Sequence, residues 1–425
     1  MAARLEELAS NSGDDLASER WWHLRLRGLH GDARHLLLGK SLRAFADGLV
    51  SVVLPIYLLR LGYTAFAVGA IVTSTLLGSA ALTLAVGFFA HRFPGRRVLL
   101  NACLLMAVTG IGFATVRDFW PLLIIAFMGT INPSSGDVSV FLPVEQALLA
   151  GTVSSRRRTA LFARYSLIGA VAGAFGTLAA ALPDIFAKKL HIGETTALQS
   201  VFWFYAAVGL AAWVIYRPLT SGVEAQPLPS KRALSHSRHI VFVLAALFSL
   251  DAFGGGFFVQ SLLALWLYKA FHLSIATASA ILFWAGICAA ASFLVAVPLS
   301  ERFGLINTMV FTHLPSNVLL ILVPFAPNLP IAIALLLARS ALSQMDVPTR
   351  TSYVMAVVTP EERAAAASVT AVPRSLASAL SPLLAGYLLS LSVFGWPLVI
   401  GGILKGIYDI LLLIRFRKIR EPDVA

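Results

Sequence analysis

Charged side chains are scarce in this chain. They make up 13% of its 425 residues, whereas hydrophobic residues make up 58% and the mean hydropathy is +0.81. A composition this apolar excludes an ordinary soluble domain. The period-two alternation of an outer-membrane barrel is also missing. We therefore expect an all-α integral membrane protein that is embedded in the lipid bilayer, and the bilayer is counted among its partners. Because the basic residues sit in loops, the net charge of +12 does not indicate nucleic-acid binding.

Cysteine and catalytic motifs are equally sparse. Cys103 and Cys288 lie inside apolar runs, which is typical of small core residues rather than of a disulfide or a metal site. The sequence has no HExxH, no clustered histidines and no Gly-x-Ser-x-Gly, so an enzyme is not expected and no metal or cofactor is predicted. The absence of a Walker loop argues against ATP as the direct energy source.

A cleavable signal peptide is not predicted, because residues 1–33 are polar and of mixed charge. The basic aromatic patch Arg20–Arg27 favours a cytoplasmic tail with a helix at the headgroup level. The alternative is an arm that binds a specific partner.

Apolar runs longer than the roughly 18 residues of a spanning helix recur from residue 34 onward. They predict twelve transmembrane helices, at 34–61, 64–90, 98–116, 121–150, 159–183, 197–217, 239–269, 274–299, 305–326, 329–358, 366–391 and 394–415. The predicted domains are a tail at 1–33, a six-helix bundle at 34–217, a linker at 218–238, a second bundle at 239–416 and a tail at 417–425.

Basic residues concentrate in every second loop. This side of the chain holds Arg25, Arg27, Arg92, Arg96, Arg97, Arg156, Arg157, Arg158, Lys231, Arg232, Arg417, Lys418 and Arg420. The positive-inside rule then predicts that both termini and the linker are cytoplasmic. The expected location is the plasma membrane, or the inner membrane of a bacterium.

The two halves of the sequence repeat each other. The segment Phe89–Phe93 matches Leu299–Phe303, and Pro143 and Arg158 are spaced like Pro348 and Arg363. Parallel repeats of this kind are related by an axis along the membrane normal, with the binding site between them near the midplane.

Twelve helices in two sixes and a charged turn between helices 2 and 3 resemble the major facilitator superfamily over residues 34–416. The turn carries most of the resemblance, since the family pattern Gly-x-x-x-Asp-Arg-x-Gly followed by two basic residues is here Gly87-Phe-Phe-Ala-His91-Arg92-Phe-Pro94-Gly95-Arg96-Arg97. Two departures are His91 in place of the acid and the extra Pro94. The antiporter motif of helix 5 is absent, although the small-residue spacing of Gly169, Gly173 and Gly176 is kept.

The resemblance implies that helices 1, 4, 7 and 10 line a central cavity. Nine of the thirteen charges inside the predicted spans fall on these helices: Lys40, Arg43, Asp47, Asp137, Glu145, Asp251, Arg339, Asp346 and Arg350. The other four are Arg164, Arg374, Lys405 and Asp409. Ionisable residues at this depth usually face a polar cavity or a partner.

Candidate roles follow from these positions. The proton-coupling candidates are three carboxyls, Asp47, Asp137 and Asp251, with Asp47 first because it lies near mid-span. The substrate-cavity candidates are Arg43, Asp47, Asp137, Asp251, Gln260, Gln344, Asp346, Arg350, Tyr353 and Arg374. The candidates for conformational gating are Gly87, His91, Arg92, Gly95, Arg96, Arg97, Glu145 and Arg164.

Bland alternatives stay open beside these roles. Asp47 could form a permanent pair with Arg43 or another arginine, and the glycines after Asp251 could serve close packing alone. Glu145 and Arg164 lie at matching depths on either side of the helix 4–5 turn, which predicts an ion pair near the cytoplasmic mouth. Lys405 and Asp409 are four residues apart on helix 12 and are expected to pair with each other. His313, on an outer helix, is interpreted as a satisfied or interfacial histidine.

The predicted function is secondary active transport of a small organic solute by alternating access, with proton-coupled efflux as the leading mode. The alternative is proton-coupled uptake of a small organic anion or metabolite, and more remote alternatives are a channel or a membrane-embedded enzyme. Protons and a small-molecule substrate are the expected partners of a monomer. Seven intramembrane cations face six acids, so the sign of the substrate stays open.

Overall fold

The computed structural model describes residues 31–89, 94–134, 139–152, 155–219, 237–358 and 362–416. Over these ranges the chain is helical and contains no strand, which confirms the all-α prediction. The predicted tails and most of the linker lie outside the described residues, so the proposed domain boundaries stay predictions.

Sixteen α-helices are described. Those of the first half are α1 (Gly31–Arg60), α2 (Ala65–Phe89), α3 (Gly95–Thr115), α4 (Phe119–Met128), α5 (Phe141–Gly151), α6 (Ser155–Ala179), α7 (Leu182–Leu190) and α8 (Glu194–Tyr216). Those of the second half are α9 (Arg238–Gly256), α10 (Gln260–Phe271), α11 (Ile275–Phe303), α12 (Leu305–Leu322), α13 (Leu329–Leu342), α14 (Asp346–Ala356), α15 (Arg363–Leu391) and α16 (Trp396–Phe416).

Three of the predicted membrane spans are interrupted rather than continuous. Helix 4 consists of α4 and α5, helix 7 of α9 and α10, and helix 10 of α13 and α14. The first two breaks fall where the sequence is deformable, at Asn132-Pro133 and after Gly254-Gly255-Gly256. Interrupted helices at membrane depth occur where the irregular backbone is buried in protein or lines a cavity.

The helices are apolar enough for a membrane. Among the described residues, nine segments are long and hydrophobic enough to cross a bilayer, and two shorter apolar helices are Phe119–Met128 and Leu329–Leu342. Large apolar side chains such as Trp120 and Ile414, each 72% exposed, cover the outside. Lipid accommodates such a surface, whereas water would not. The count of twelve spans stays a prediction.

Glycines let α1 pack closely against α6. A side chain at Gly48 would collide with the backbone oxygen of Gly173, and one at Gly176 would collide with the backbone oxygen of Phe45. The spacing of small residues on α6, the predicted helix 5, therefore serves close helix packing, as the sequence suggested. Transmembrane helices associate largely through such contacts, because lipid offers little hydrophobic drive between them.

The two halves meet through α2 and α15 and through α6 and α11. Gly69 of α2 packs against Pro382 and Gly386 of α15, so a glycine on each helix permits a close approach. The rings of Phe175 and Phe283 lie 5.3 Å apart where α6 meets α11. These contacts lie nearer to the loops 61–64, 191–193, 272–274 and 392–395, which define what we call the distal face.

Two hydrogen bonds also join the halves near the interrupted helices. The backbone N–H of Ser261 donates to the carbonyl of Pro133 at 3.1 Å. The side-chain amide of Gln260 donates to Oγ1 of Thr177 at 2.7 Å. The start of α10 is therefore attached to both α6 and the break between α4 and α5, which ties the irregular segments to the opposite half.

Candidate functional site: two buried charge clusters

The N-terminal cluster surrounds the carboxylate of Glu145. Arg43 of α1 forms a salt bridge with this carboxylate, and the hydroxyls of Tyr165 and Tyr216 donate hydrogen bonds to it. Arg43 is 3% exposed and Glu145 is 0% exposed. A buried ion pair needs further hydrogen bonds to offset the loss of hydration, and the two tyrosines provide them.

Local sequence explains how these groups meet. The break after α4 brings α5, and with it Glu145, to the side of α1. The ring of Tyr216 occupies the space that a side chain at Gly39 would fill. The guanidinium carbon of Arg43 lies 3.7 Å from the ring centroid of Phe141, a cation–π contact. The predicted pair of Glu145 and Arg164 is therefore wrong, because Arg43 and two tyrosines hold Glu145.

Asp47 lies one turn beyond Arg43 on α1 and is only half-buried. In the described part of the chain its carboxyl accepts one hydrogen bond, from the hydroxyl of Tyr205 at 3.4 Å. The single O–H of Tyr205 is shared with a second acceptor, the carbonyl of Thr130 at 3.0 Å. Since Arg43 is committed to Glu145, the alternative of a permanent Arg43–Asp47 pair is not found.

The C-terminal cluster surrounds Asp251 of α9, which is 3% exposed. One carboxylate oxygen lies 3.1 Å from Arg350 of α14, and the other binds Lys405 of α16. Arg350 also lies 3.4 Å from Asp346, which confirms that the acid and the guanidinium four residues apart share one helix face. The site therefore gathers charges from three helices.

Two glycines of α9 leave room for the side chains of neighbouring helices in the C-terminal cluster. A side chain at Gly254 would overlap Lys405, and one at Gly256 would overlap Ser381 of α15. The close-packing interpretation thus holds for these two glycines. Because the Lys405 side chain passes over Gly254 to Asp251, the predicted Lys405–Asp409 pair is wrong.

Asp409 instead faces α12. Its Oδ1 lies 2.8 Å from Nδ1 of His313, and its Oδ2 accepts a hydrogen bond from Asn317 at 2.9 Å. His313 also approaches the centre of the C-terminal cluster, with Nε2 at 3.8 Å from Oδ1 of Asp251. Sequence reasoning placed His313 outside the site. The signal available was the four-residue spacing of His313 and Asn317, which matches that of Lys405 and Asp409 on a neighbouring helix.

The two clusters occupy equivalent positions in the repeat with reversed polarity. Glu145 follows Pro143 by two residues, as Arg350 follows Pro348. The first half therefore pairs a cation on helix 1 with an acid on helix 4, whereas the second pairs an acid on helix 7 with a cation on helix 10. All four side chains lie on the helices that the family resemblance assigns to the cavity.

The remaining cavity candidates are placed unequally. Gln344 and Arg374 are half-buried, whereas Gln260 bridges to the opposite half through Thr177. Tyr353 is 0% exposed and belongs to an apolar cluster that includes Phe416, and its place in the cavity stays a prediction. Arg339 is half-buried, with its guanidinium 4.8 Å from the ring centroid of Phe258.

The gating candidates are described only in part. Gly95 packs near Leu148, and Arg96 donates to the carbonyl of Arg217 at 2.5 Å, which links the start of α3 to the end of α8. Arg97 is exposed and Arg164 half-buried, while Gly87 is described only by its place in α2. Three predicted residues, Asp137, His91 and Arg92, lie outside the described residues.

A cavity of about 290 Å³ lies at the distal face between the halves. Lys188, Leu198, Tyr268 and His272 are among its lining residues. The Arg60–Glu194 salt bridge at its edge measures 2.7 Å, but both side chains are about half exposed. Exposed ion pairs contribute little to stability, and the Arg60–Glu194 pair differs in this respect from the buried pairs of the two clusters.

Known proteins resemble the chain over most of its length. The family description "Major Facilitator Superfamily" matches residues 36–261 and 244–425. An uncharacterized membrane protein of Saccharomyces cerevisiae, YJR124C, is 24% identical over 420 residues, which cover 91% of this chain and 94% of that protein. A shorter match, 29% identical over 126 residues, covers 26% of this chain and 27% of MdtD, a protein of Yersinia enterocolitica named for multidrug resistance.

The fold is similar to that of a bacterial homologue of the human lysosomal transporter Spinster, solved in an inward-facing, occupied conformation. The TM-score is 0.69 at 15% identity, and the match covers 91% of this chain and 96% of that one. The structural similarity establishes the fold, and the match to the family description establishes membership of the family. With both in agreement, the chain belongs to the Major Facilitator Superfamily of membrane transporters.

Proposed function

We propose that this protein is a proton-coupled secondary transporter that exports a small organic solute by alternating access. The observation that carries the proposal is the pair of equivalent, polarity-reversed ion pairs, Arg43–Glu145 and Asp251–Arg350. Charges are costly at membrane depth and mark substrate or ion pathways. Their position on the helices nearest the repeat axis supports a site between the halves.

The packing of the halves supports alternating access. The contacts of Gly69 with Gly386, of Phe175 with Phe283 and of Gln260 with Thr177 hold the halves together toward the distal face. In the predicted orientation the distal face is external. This conformation then corresponds to one closed to the outside, and transport requires these contacts to separate while the opposite face closes.

Asp47 is the first candidate for the coupling carboxyl. It is half-buried near the middle of α1, and its described partner is a tyrosine hydroxyl rather than a cation. A carboxyl in this situation can gain or lose a proton without breaking a buried ion pair. Glu145 and Asp251 are less suited, because each already neutralises a buried cation.

The local likeness to MdtD, named for multidrug resistance, supports export. A different observation favours the second candidate, uptake of an organic anion with protons. The guanidinium of Arg339 is half-buried over Phe258, and no ion pair to it is found among the described residues. Arginine suits carboxylates and phosphates, which it binds with two parallel hydrogen bonds.

The first prediction tests the coupling role in proteoliposomes with an imposed pH gradient. The probes are ethidium as a cationic dye and a panel of radiolabelled carboxylates. We expect Asp47→Asn to lose gradient-driven accumulation while keeping downhill exchange, because the amide cannot carry a proton. Asp118→Asn, an exposed carboxyl at the start of α4, is the matched control and should behave as wild type.

The outcomes separate the alternatives. Accumulation of ethidium supports export, and accumulation of a carboxylate in the opposite sense supports the second candidate. Full gradient-driven transport by the Asp47→Asn variant would contradict its coupling role. Unsaturable flux that ignores the gradient would indicate a channel and overturn the proposed function.

A further inference from the structure

His313 occupies a position that ordinary packing does not explain. It is 3% exposed on α12, and each ring nitrogen faces a different carboxylate. Nδ1 lies 2.8 Å from Oδ1 of Asp409, and Nε2 lies 3.8 Å from Oδ1 of Asp251. A neutral imidazole has one N–H, so it can donate to only one of these two acids.

The short contact to Asp409 already requires one proton. Two acceptor atoms at 2.8 Å repel each other unless a proton lies between them, on Nδ1 or on Oδ1. The other oxygen of Asp409 accepts from the neutral amide of Asn317. Among the described residues, His313 is therefore the only group within ion-pair distance that can neutralise Asp409.

The surrounding elements present these charged and titratable groups to His313 or to its partners. Lys405, Tyr408 and Asp409 come from α16, Asp251 from α9, Arg350 and Asp346 from α14, and Arg339 from α13. Lys405 and Arg350 both bind Asp251 rather than Asp409. Nε2 of His313 thus faces the carboxylate of Asp251, which binds both Lys405 and Arg350.

We propose that His313 is a second proton-binding site of the transporter, which takes up its proton at Nε2 between Asp251 and Asp409. The proposal rests on the proposed proton-coupled function and deepens it. The neutral ring gains one proton from water and becomes an imidazolium that donates to both acids. The attraction of Nε2–H for Oδ1 of Asp251 then competes with Lys405, which binds the same oxygen, so the proton loosens the ion pair between helices 7 and 12.

This competition connects proton binding to the cavity-lining helices. Lys405 is released from Oδ1 of Asp251 when His313 is charged, whereas Arg350 keeps its contact with Oδ2 at 3.1 Å. When the proton leaves, Oδ1 of Asp251 binds Lys405 again and the ion pair between helices 7 and 12 is restored. Asp47 in the first half takes no part in these steps, so the two sites can be tested separately.

The second prediction uses full-length protein labelled with ¹⁵N-histidine in lipid nanodiscs, followed by NMR between about pH 5 and pH 9. The wild-type spectrum should contain one histidine with both nitrogens protonated that is missing in His313→Gln. In Asp409→Asn, which keeps His313, this form should be lost or appear only at lower pH. The control His239→Gln removes an exposed histidine and should leave the His313 signal unchanged.

A His313 signal that is neutral over the whole range, or that is the same in Asp409→Asn, would overturn the proton site. Unchanged gradient-driven accumulation in a folded His313→Gln variant would overturn its part in coupling. The NMR measurement needs no transported solute. If the doubly protonated histidine is found but no variant or wild-type protein shows transport, the proton site stands and the proposed function fails.

Discussion

At the scale of single residues, burial and partner choice separate functional candidates from structural ones. The buried charges of the described chain are Arg43, Glu145, Asp251, Asp346, Arg350, Glu362, Lys405 and Asp409. The sequence identified most of them as intramembrane charges but chose the wrong partners for Glu145 and Lys405. Depth in neighbouring helices was the guide for Glu145 and spacing along one helix was the guide for Lys405, whereas the observed partners lie on other helices.

A third prediction concerns the stability of the N-terminal pair. Glu145→Gln should lower the free energy of unfolding by about 3–5 kcal/mol, because it leaves the Arg43 guanidinium buried without a counter-charge. Glu194→Gln is the matched control, since it removes the exposed pair with Arg60 and should cost no more than about 1 kcal/mol. Thermal unfolding in detergent measures both.

If the buried pair stabilises the protein, Glu145→Gln should melt at a lower temperature than Glu194→Gln. Equal melting temperatures for the two variants would show that Glu145 does not stabilise Arg43. A double variant, Arg43→Gln with Glu145→Gln, should recover part of the loss because no unpaired charge is left in the core.

At the scale of elements, the breaks in helices 4, 7 and 10 determine which side chains meet. The sequence indicated deformable stretches at Asn132-Pro133 and at Gly254–Gly256, and both lie at or beside a break. The break at 343–345 was not predicted, because Ser343-Gln344-Met345 carries neither glycine nor proline. The apolar pattern continues across such a break. It therefore predicts the position of a membrane span but not an interruption of the helix within it.

A fourth prediction tests the close packing of α1 on α6. Gly48→Ala should destabilise the protein by about 1–3 kcal/mol, because the added Cβ meets the backbone oxygen of Gly173 and the helices must separate. Gly31→Ala is the control, since nothing lies within 4 Å of its added Cβ. Thermal unfolding of both variants measures the difference, and a wild-type melting temperature for Gly48→Ala would contradict the packing.

At the scale of the whole molecule, the contacts between the halves are the ones that the proposed alternating access would have to break. Gln260 of α10 contacts Thr177 of α6 at 2.7 Å across the boundary of the repeats. Neither residue stands out in the sequence as a contact of the other. Their approach depends on how one six-helix unit docks on the next.

A fifth prediction is that locking this contact stops transport. A Thr177→Cys, Gln260→Cys double variant, with Cys103 and Cys288 replaced by alanine, is treated with a short reducible thiol cross-linker in proteoliposomes. We expect gradient-driven transport to be lost and then restored by reductant, because the halves can no longer separate there. A Ser74→Cys, Leu123→Cys pair joins α2 and α4 within one half and is the control.

The control pair should cross-link without loss of transport, since it leaves the boundary between the halves free. Transport that continues after complete cross-linking of Thr177→Cys and Gln260→Cys would contradict alternating access about this contact. Cross-linking at neither pair would contradict the packing itself.

The sequence by itself determined the membrane class, the positions of most spans, the repeat and the helices that carry charge. These follow from local quantities, namely hydropathy, spacing and the unfavourable free energy of placing a charge in lipid. Only the tertiary structure decided that Glu145 binds Arg43, that Lys405 binds Asp251, and that His313 lies between two carboxylates. Partners of buried charges are set by which helices the glycines bring together, and that depends on packing between segments far apart in the chain.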